Sequence, residues 1–523
     1  MARAARKPTP KKSDYLFEGS DWTFDTLART YEAIEEIAVK DLGLEVYPNQ
    51  IEIISSEQML DAYSSIGMPL MYRHWSFGKH FVREEQLYRK GARGLAYELV
   101  INSNPCISYH MEENTMAMQA LVTAHAAFGH NHFFKNNYLF QQWTDAGAIL
   151  DYMEFAKGYI SRCEERHGLA AVEEILDAGH ALMDHGVFRY RRAQRDTPQR
   201  AEKRKRERLK YEARTYNDLW RTLPSSKSGA EPDEDERELA ERKKKLRLPE
   251  ENLLYFLEKN SPILEPWQRE ILHIVRKIAQ YFYPQKQTKV MNEGCATFVH
   301  YYIINKLYDE GRLTEGAMLE ILHSHSNVVC QPAFDDKRFS GVNPYALGFE
   351  MMQDIVRVCT EPTDEDRRYL PEIAGKDDWR GILREAWANH RDESFIQQYL
   401  SPHLIRKMRL FVLNDDEKDS HYTVSAIHDE RGYDNVRRSI ARNYDLGMME
   451  PNIQIVDLDL KGDRKLCLQH NMRDGIPLAE KSRDEVIRHI RRLWGYDVVL
   501  KGVDNQSGET LYETSTAESS ETT

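Results

Sequence analysis

The stretch "NIQIVDLDLKGDRKLCLQHN", Asn452 to Asn471, changes the rhythm of the chain. Its apolar residues recur at short, strand-like intervals on either side of a polar turn. The pattern predicts a hairpin turning at Lys461-Gly462-Asp463, where the glycine permits a positive φ. Around it, "LFVLND" and "YTVSAIHD" read as strands, "GYDNVRRSIARNYD" and "SRDEVIRHIRRLWG" as helices, and "YDVVLKG" as a last strand. Residues 405–503 are therefore expected to form a small α+β domain.

Upstream the period is helical. "TFDTLARTYEAIEEIAVKDLG", "AGAILDYMEFAKGYISRCEERHG" and "LAAVEEILDAGHALMDHG" each run to a closing glycine with apolar residues at helical spacing. "PEENLLYFLEKNSPILEPWQREILHIVRKIAQYF" resumes that grammar after an interruption. The expected fold class is α+β, with a large, mainly helical N-terminal domain and a smaller C-terminal α+β domain. Residues 14–188 and 251–404 would be the two halves of the helical domain, the second completing a site begun in the first. Residues 1–13 read as a disordered basic tail, 189–250 as a charged linker with exposed helix, and 504–523 as a disordered tail.

At 523 residues the chain is too long for one ordinary core. A net charge of -12 argues against a chain-wide polyanion binder. The basic run "RYRRAQRDTPQRAEKRKRERLKYEAR" leaves nucleic acid as an alternative partner, but stacking aromatics are sparse there and a solvated charged excursion is the simpler reading. Six scattered cysteines include no C-x-x-C pair, as expected for reduced thiols in the cytoplasm. The N-terminus lacks the apolar core of a secretory signal, and no apolar run reaches the length of a membrane span.

Chemistry-bearing residues concentrate in "LVTAHAAFGHNHFFKNN", Leu121 to Asn137. On an α-helix turning about 100° per residue, His125 and His132 fall about 20° apart on one face, with Asn114 on the same stripe. His130 would sit about 140° from His125, so a shared ligand would require the helix to end or bend at Gly129. Spacing leaves both pairings open. A second stretch, "TKVMNEGCATFVHYYIINKLYDEG", puts Glu293 and His300 on one face, about 10 Å apart along the axis. A carboxylate beside imidazoles suits either metal binding or the orientation of a histidine. The bland reading of each histidine, a buried ring satisfied by hydrogen bonds, stands beside the functional one. "LHSHSNVV" separates His323 and His325 by about 160° on a helix, and neither is favoured as a ligand. Asn343 and Tyr345 in "SGVNPYALGFEMMQDI" could line a pocket or cap a helix. Phosphate-loop, dinucleotide and serine-hydrolase motifs are absent.

"NPCISYHMEENT", "AHAAFGHNHFFKNN", "YFYPQKQTKVMNEG", "GVNPYALGFEMMQDI" and "RGYDNVRRSIARNYDL" together resemble the SpoVR (stage V sporulation protein R) family over roughly residues 15–503. The resemblance implies a role in sporulation (spore cortex), stress or stationary-phase physiology. It also implies partnership with a PrkA-type serine kinase and a von Willebrand A-like protein. It favours His125 with His130, Gly129 being the pivot, joined by Asn292 and Glu293. That layout resembles metallopeptidases whose two-histidine helix is completed by a later glutamate. One divalent metal (zinc, iron or manganese) is then expected on His125, His130, Glu293 and His300, with His132 beside them. Two departures matter. Ala126 follows His125 where a zinc peptidase carries its general base, leaving Glu113 as the candidate catalytic residue. Cys295 and Val299 stand where the family pattern has tryptophan, so the thiol is a candidate soft ligand. The expected functions, in order, are a regulatory protein acting with the kinase, a metal-dependent hydrolase of zincin-like descent, and a nucleic-acid binder.

Overall fold

A computed structural model describes residues 15–65, 68, 71–89, 97–189, 206–207, 246–414, 423–426, 429–473 and 475–516. The expected basic tail and most of the expected charged linker lie outside these residues. The chain divides into two units, one of residues 1–176 with 277–450 and one of residues 177–276 with 451–523. The boundary therefore falls after residue 450 and not at 404, and residues 177–276 leave the helical body for the C-terminal one.

The first unit is built around one deeply buried helix, Lys289–Asp309. From Val290 to His300 every residue except Glu293 is buried, so this helix lacks a solvated stripe and must be covered on all sides. Its N-terminus is held by a distant side chain: the Asp392 carboxylate accepts from the amides of Val290 and Met291, both at 2.8 Å. That satisfies two of the donors every helix start leaves open. Two neighbouring elements approach unusually close. A Cβ on Gly294 would meet Gly348 Cα, in the Pro344–Thr360 helix, at 2.6 Å. One on Gly129 would meet Ala296 Cα at 2.5 Å. These glycines let backbone touch backbone.

The same unit contains a three-stranded sheet in a region expected to be mainly helical. Strands β1 (Asn49–Ile54), β2 (Glu98–Ile101) and β3 (Cys106–Met111) lie in the order β1-β3-β2. β1 runs parallel to β3 and β2 antiparallel to it. The central β3 is buried at five of six positions, so it lacks the alternation by which a half-buried strand announces itself. The short strands β4 (Val412–Asn414) and β5 (Thr423–Ala426) pair antiparallel, and the Glu430–Asn443 helix comes after them. All three were expected in the C-terminal domain and belong instead to this unit.

The second unit carries a four-stranded sheet in the order β6-β7-β8-β9. β6 (Ile453–Leu458) and β7 (Leu466–Met472) form the expected hairpin. Its turn differs from expectation: the positive φ, 58°, belongs to Arg464, while Gly462 sits against the Asp459 carboxylate, which accepts from its amide at 2.9 Å. The Glu480–Trp494 helix buries Ile487, Ile490, Leu493 and Trp494 and makes the crossover to β8 (Val498–Asp504), parallel to β7. β9 (Thr510–Ser515) pairs antiparallel with β8. This corrects the expectation of a disordered tail as far as residue 516, the rest of it lying outside the described residues: by composition a polar Thr/Glu/Ser run reads as disordered, yet an open sheet edge gives the backbone of β9 its partners. No described helix is long and apolar enough to cross a membrane.

Candidate metal centre

Residues Leu121–Asn137 do not form one α-helix. An α-helical turn, Met116–Val122, is capped by Thr115, whose hydroxyl accepts from the Met118 amide. It passes into a π-helical stretch, Thr123–His130, and returns to α-helix over Asn131–Asn136. A π-helix closes its hydrogen bonds at i, i+5, which is the spacing of His125 and His130. Both rings therefore emerge from the same side, with centroids 4.6 Å apart and planes at 89°. The pairing expected to need a break at Gly129 is achieved without one. Gly129 serves the close approach to Ala296 instead, so its expected role as a pivot is corrected.

The wide turns also shift the phase of the residues after them. His132 no longer shares a face with His125. Its Nδ1 accepts from the Glu45 amide at 3.0 Å, and its ring meets Trp387 edge-on at 5.6 Å. It is a buried structural histidine outside the cluster.

The Lys289–Asp309 helix supplies the other half. Asn292 Oδ1 lies 2.9 Å from His130 Nδ1. Glu293 Oε2 lies 3.6 Å from His130 Nε2 and 3.9 Å from His125 Nε2. One donor atom from each of His125, His130 and Glu293 falls within 4.8 Å of the others. His300 is placed behind His125 and not among these donors: the two Nδ1 atoms share a hydrogen bond of 3.0 Å, and His300 Nε2 meets His325 Nδ1 at 2.9 Å. One proton assignment satisfies every bond: His130 Nδ1 donates to Asn292, His125 Nδ1 to His300, and His300 Nε2 to His325. It leaves both His125 Nε2 and His130 Nε2 as lone pairs aimed at Glu293, the tautomers that metal ligation needs.

A second carboxylate approaches His125. Glu98, the first residue of β2, places Oε1 at 3.7 Å from His125 Nε2. Burial, reinforced by the charge of Glu293, pushes its pKa up to about 8. Burial and the neighbouring imidazoles hold His125 and His300 well below the usual histidine range, and burial takes His325 down to about 4. The rings of His125, His300 and His325 are thus neutral near pH 7 and supply no positive charge. Glu293 Oε2 is buried and finds no hydrogen-bond partner among the described residues. Carboxylates, two imidazoles with Nε2 turned inward and an orphaned oxygen suit one divalent cation such as zinc, iron or manganese.

The remaining expected residues lie elsewhere. Glu113 is exposed and accepts from the Ser56 amide at 3.3 Å, so it is not placed as a general base. Asn114 is buried and donates to the Tyr97 carbonyl at 3.0 Å, steadying the approach to Glu98. Asn343 caps the Pro344–Thr360 helix, accepting from the Tyr345 amide and donating to the carbonyls of Val328 and Cys330. The Cys295 thiol turns to the Gly129 carbonyl, 3.9 Å away, and burial raises its pKa well above the ordinary value. It is not among the clustered donors. Sequence reasoning missed Glu98, an isolated glutamate in "AYELV", and passed over His325.

With this geometry in place, comparisons with known proteins converge. Residues 21–449 match the family described as SpoVR like protein, and residues 451–505 match the SpoVR-like C-terminal domain. A protein of Escherichia coli (strain K12), named "Uncharacterized protein YcgB", is 53% identical over 503 residues, covering 96% of this chain and 97% of its own length. No solved structure matches.

Proposed function

The chain belongs to the SpoVR family, and from that premise we propose that it is a metalloprotein of metal-dependent hydrolase descent, with one divalent transition metal held by His125, His130 and Glu293. The observation that carries the reading is the convergence of their three donor atoms within 4.8 Å beside a buried carboxylate oxygen that nothing else satisfies. When bound, the cation would supply Lewis-acid polarisation of an oxygen it contacts. The chain's own residues do the rest. Asn292 and His300 fix the ring orientations of His130 and His125, the π-helical turns hold the two rings together, and Phe134 stacks on His130 at 5.8 Å and excludes water from that side. Three protein ligands are the number typical of catalytic centres, which keep a position free.

A regulatory role without turnover is the second reading, favoured by one observation. Ala126 is fully buried at the position where a zinc peptidase carries its base, and Glu113 is turned away to Ser56. The setting we propose for either reading is cytoplasmic stress, stationary-phase or sporulation physiology, with a PrkA-type serine kinase and a von Willebrand A-like protein as partners. Family membership is its support.

Metal analysis of protein purified without chelators, followed by a peptide and amide hydrolase screen, tests the proposal. We expect near one equivalent of metal, lost in folded His125→Ala and Glu293→Ala variants. A metal-free wild type that takes up none on titration would sink the metal reading. A metal-loaded protein that captures the kinase but turns over no substrate would select the regulatory one.

A further inference from the structure

We propose that Glu98 is the fourth protein ligand of this centre, making it a two-histidine, two-carboxylate site for a divalent cation of the iron or manganese class. The inference rests on the metal reading above and names a ligand that reading does not contain.

Glu98 and Glu293 approach His125 at similar range. Its Oε1 is 3.7 Å from His125 Nε2, against 3.9 Å for Glu293 Oε2. Ligands about 2.0–2.2 Å from a tetrahedral metal lie roughly 3.4 Å from one another, so the separation from His125 need close by only a few tenths of an ångström, while Glu98, outside the 4.8 Å set of His125, His130 and Glu293, must turn its side chain further inward to join them. The position is built. Glu98 opens β2, and the carbonyl of the preceding Tyr97 accepts from both the Met111 amide and Asn114 Nδ2, at 3.1 and 3.0 Å. β2 lies against the π-helical stretch that carries the two histidines. A residue fixed from a sheet is held more firmly than one on a loop.

Directly across the ladder from Glu98 is His110 on β3, and opposed residues of an antiparallel pair project to the same face. His110 Nδ1 is engaged by Gln119 Oε1 at 3.2 Å. Because an amide oxygen only accepts, Nδ1 is the donor in that bond, and Nε2 of the neutral ring is a buried lone pair with no partner among the described residues. Charge agrees. No lysine or arginine among the described residues forms an ion pair with Glu98 or Glu293, and two carboxylates balance one divalent cation without remainder. The absence of a thiolate from the donors, together with two oxygens, shifts preference from copper(I) toward manganese, iron and zinc.

Cobalt(II) titration of the full chain tests this without recourse to activity, using the visible d–d band and a competing chelator. Wild type, Glu98→Gln, Glu98→Asp and Glu293→Gln would be compared, with circular dichroism as the check on folding. Expected are one cobalt per chain in wild type, binding at least tenfold weaker with an altered band in Glu98→Gln, and an altered band at partly restored affinity in Glu98→Asp. Unchanged affinity and band in both Glu98 variants, with binding lost in Glu293→Gln, would overturn the inference and leave the three-ligand centre standing. A wild type that binds no cobalt would overturn both. Should Glu98→Gln not fold, the Glu98→Asp spectrum decides.

Discussion

The fold treats two acidic clusters of the first unit in opposite ways. In one, Arg357 grips Asp366 through two parallel bonds of 2.7 and 2.8 Å and reaches Asp354 through Nε at 2.8 Å. Thr363 donates to Asp366 from both its amide and its hydroxyl, and Ser401 donates to Asp354. Burial alone would raise the pKa of Asp366, yet the bonds from Arg357 and Thr363 hold it well below the usual carboxylate range. In the other cluster, Glu98 and Glu293 face His125, whose ring burial keeps neutral. The first cluster carries its own cation. The second is arranged so that a cation must be brought to it, and that difference separates a structural ion network from a candidate metal centre.

The largest expected effect strips the built-in cation. Arg357→Met leaves Asp354 and Asp366 buried without their partner and should cost about 3–5 kcal/mol of stability. Adding metal should not restore it. Glu293→Gln in metal-free protein should differ from wild type by no more than about 1 kcal/mol, because no partner is lost. Denaturant midpoints of both variants, with and without manganese or zinc, measure the contrast. Equal losses in the two variants, or rescue of Arg357→Met by metal, would erase the distinction.

The second effect tests what the centre is mounted on. Gly129→Ala drives a Cβ to 2.5 Å from Ala296 Cα, and backbone cannot give way as a flexible side chain can. We expect a loss of about 1–3 kcal/mol from overpacking and weaker metal binding, since the same contact sets the His130-to-Glu293 separation. Gly316→Ala is the control. It sits in the Glu315–Val328 helix with nothing near its Cβ, and should be neutral or stabilising by up to about 1 kcal/mol. Normal metal affinity in a destabilised Gly129→Ala would detach the centre from the helix contact.

How much of the fold and the centre is legible in the sequence depends on the physics of each element. His125, His130 and Glu293 can be picked out by residue type and by the resemblance, but their pairing cannot be derived while the helix is assumed to advance about 100° per residue. That assumption puts His130 on the far side and His132 on the near side. A π-helical insertion inverts the assignment, and nothing in "TAHAAFGH" signals it except the five-residue spacing itself. Glu98 is invisible for a different reason. Its strand is four residues long and its neighbours in the site come from more than twenty residues away, so no local spacing exists to read. The hairpin of β6 and β7 is readable because turn and strands are local. β9 is not, because its partner rather than its composition makes it a strand.

The smallest effect near neutral pH concerns acid, and it sharpens the comparison from the paired side. Asp366 has a folded-state pKa below its ordinary value of 3.8. A depressed carboxylate contributes stability that is fully present above its unfolded pKa and is lost as pH falls through the folded one. Stability from this cluster should therefore be flat from pH 7 down to about 4 and decline below that. Asp366→Asn should remove this part of the acid slope while lowering stability at every higher pH, because Arg357 then loses its charged partner. Midpoints measured from pH 7 to pH 2.5 in wild type and variant test the sign. A variant that keeps the full acid slope would assign that slope to other carboxylates, and Arg357 would no longer serve as the counterexample against which the cation-free cluster of Glu98 and Glu293 is judged.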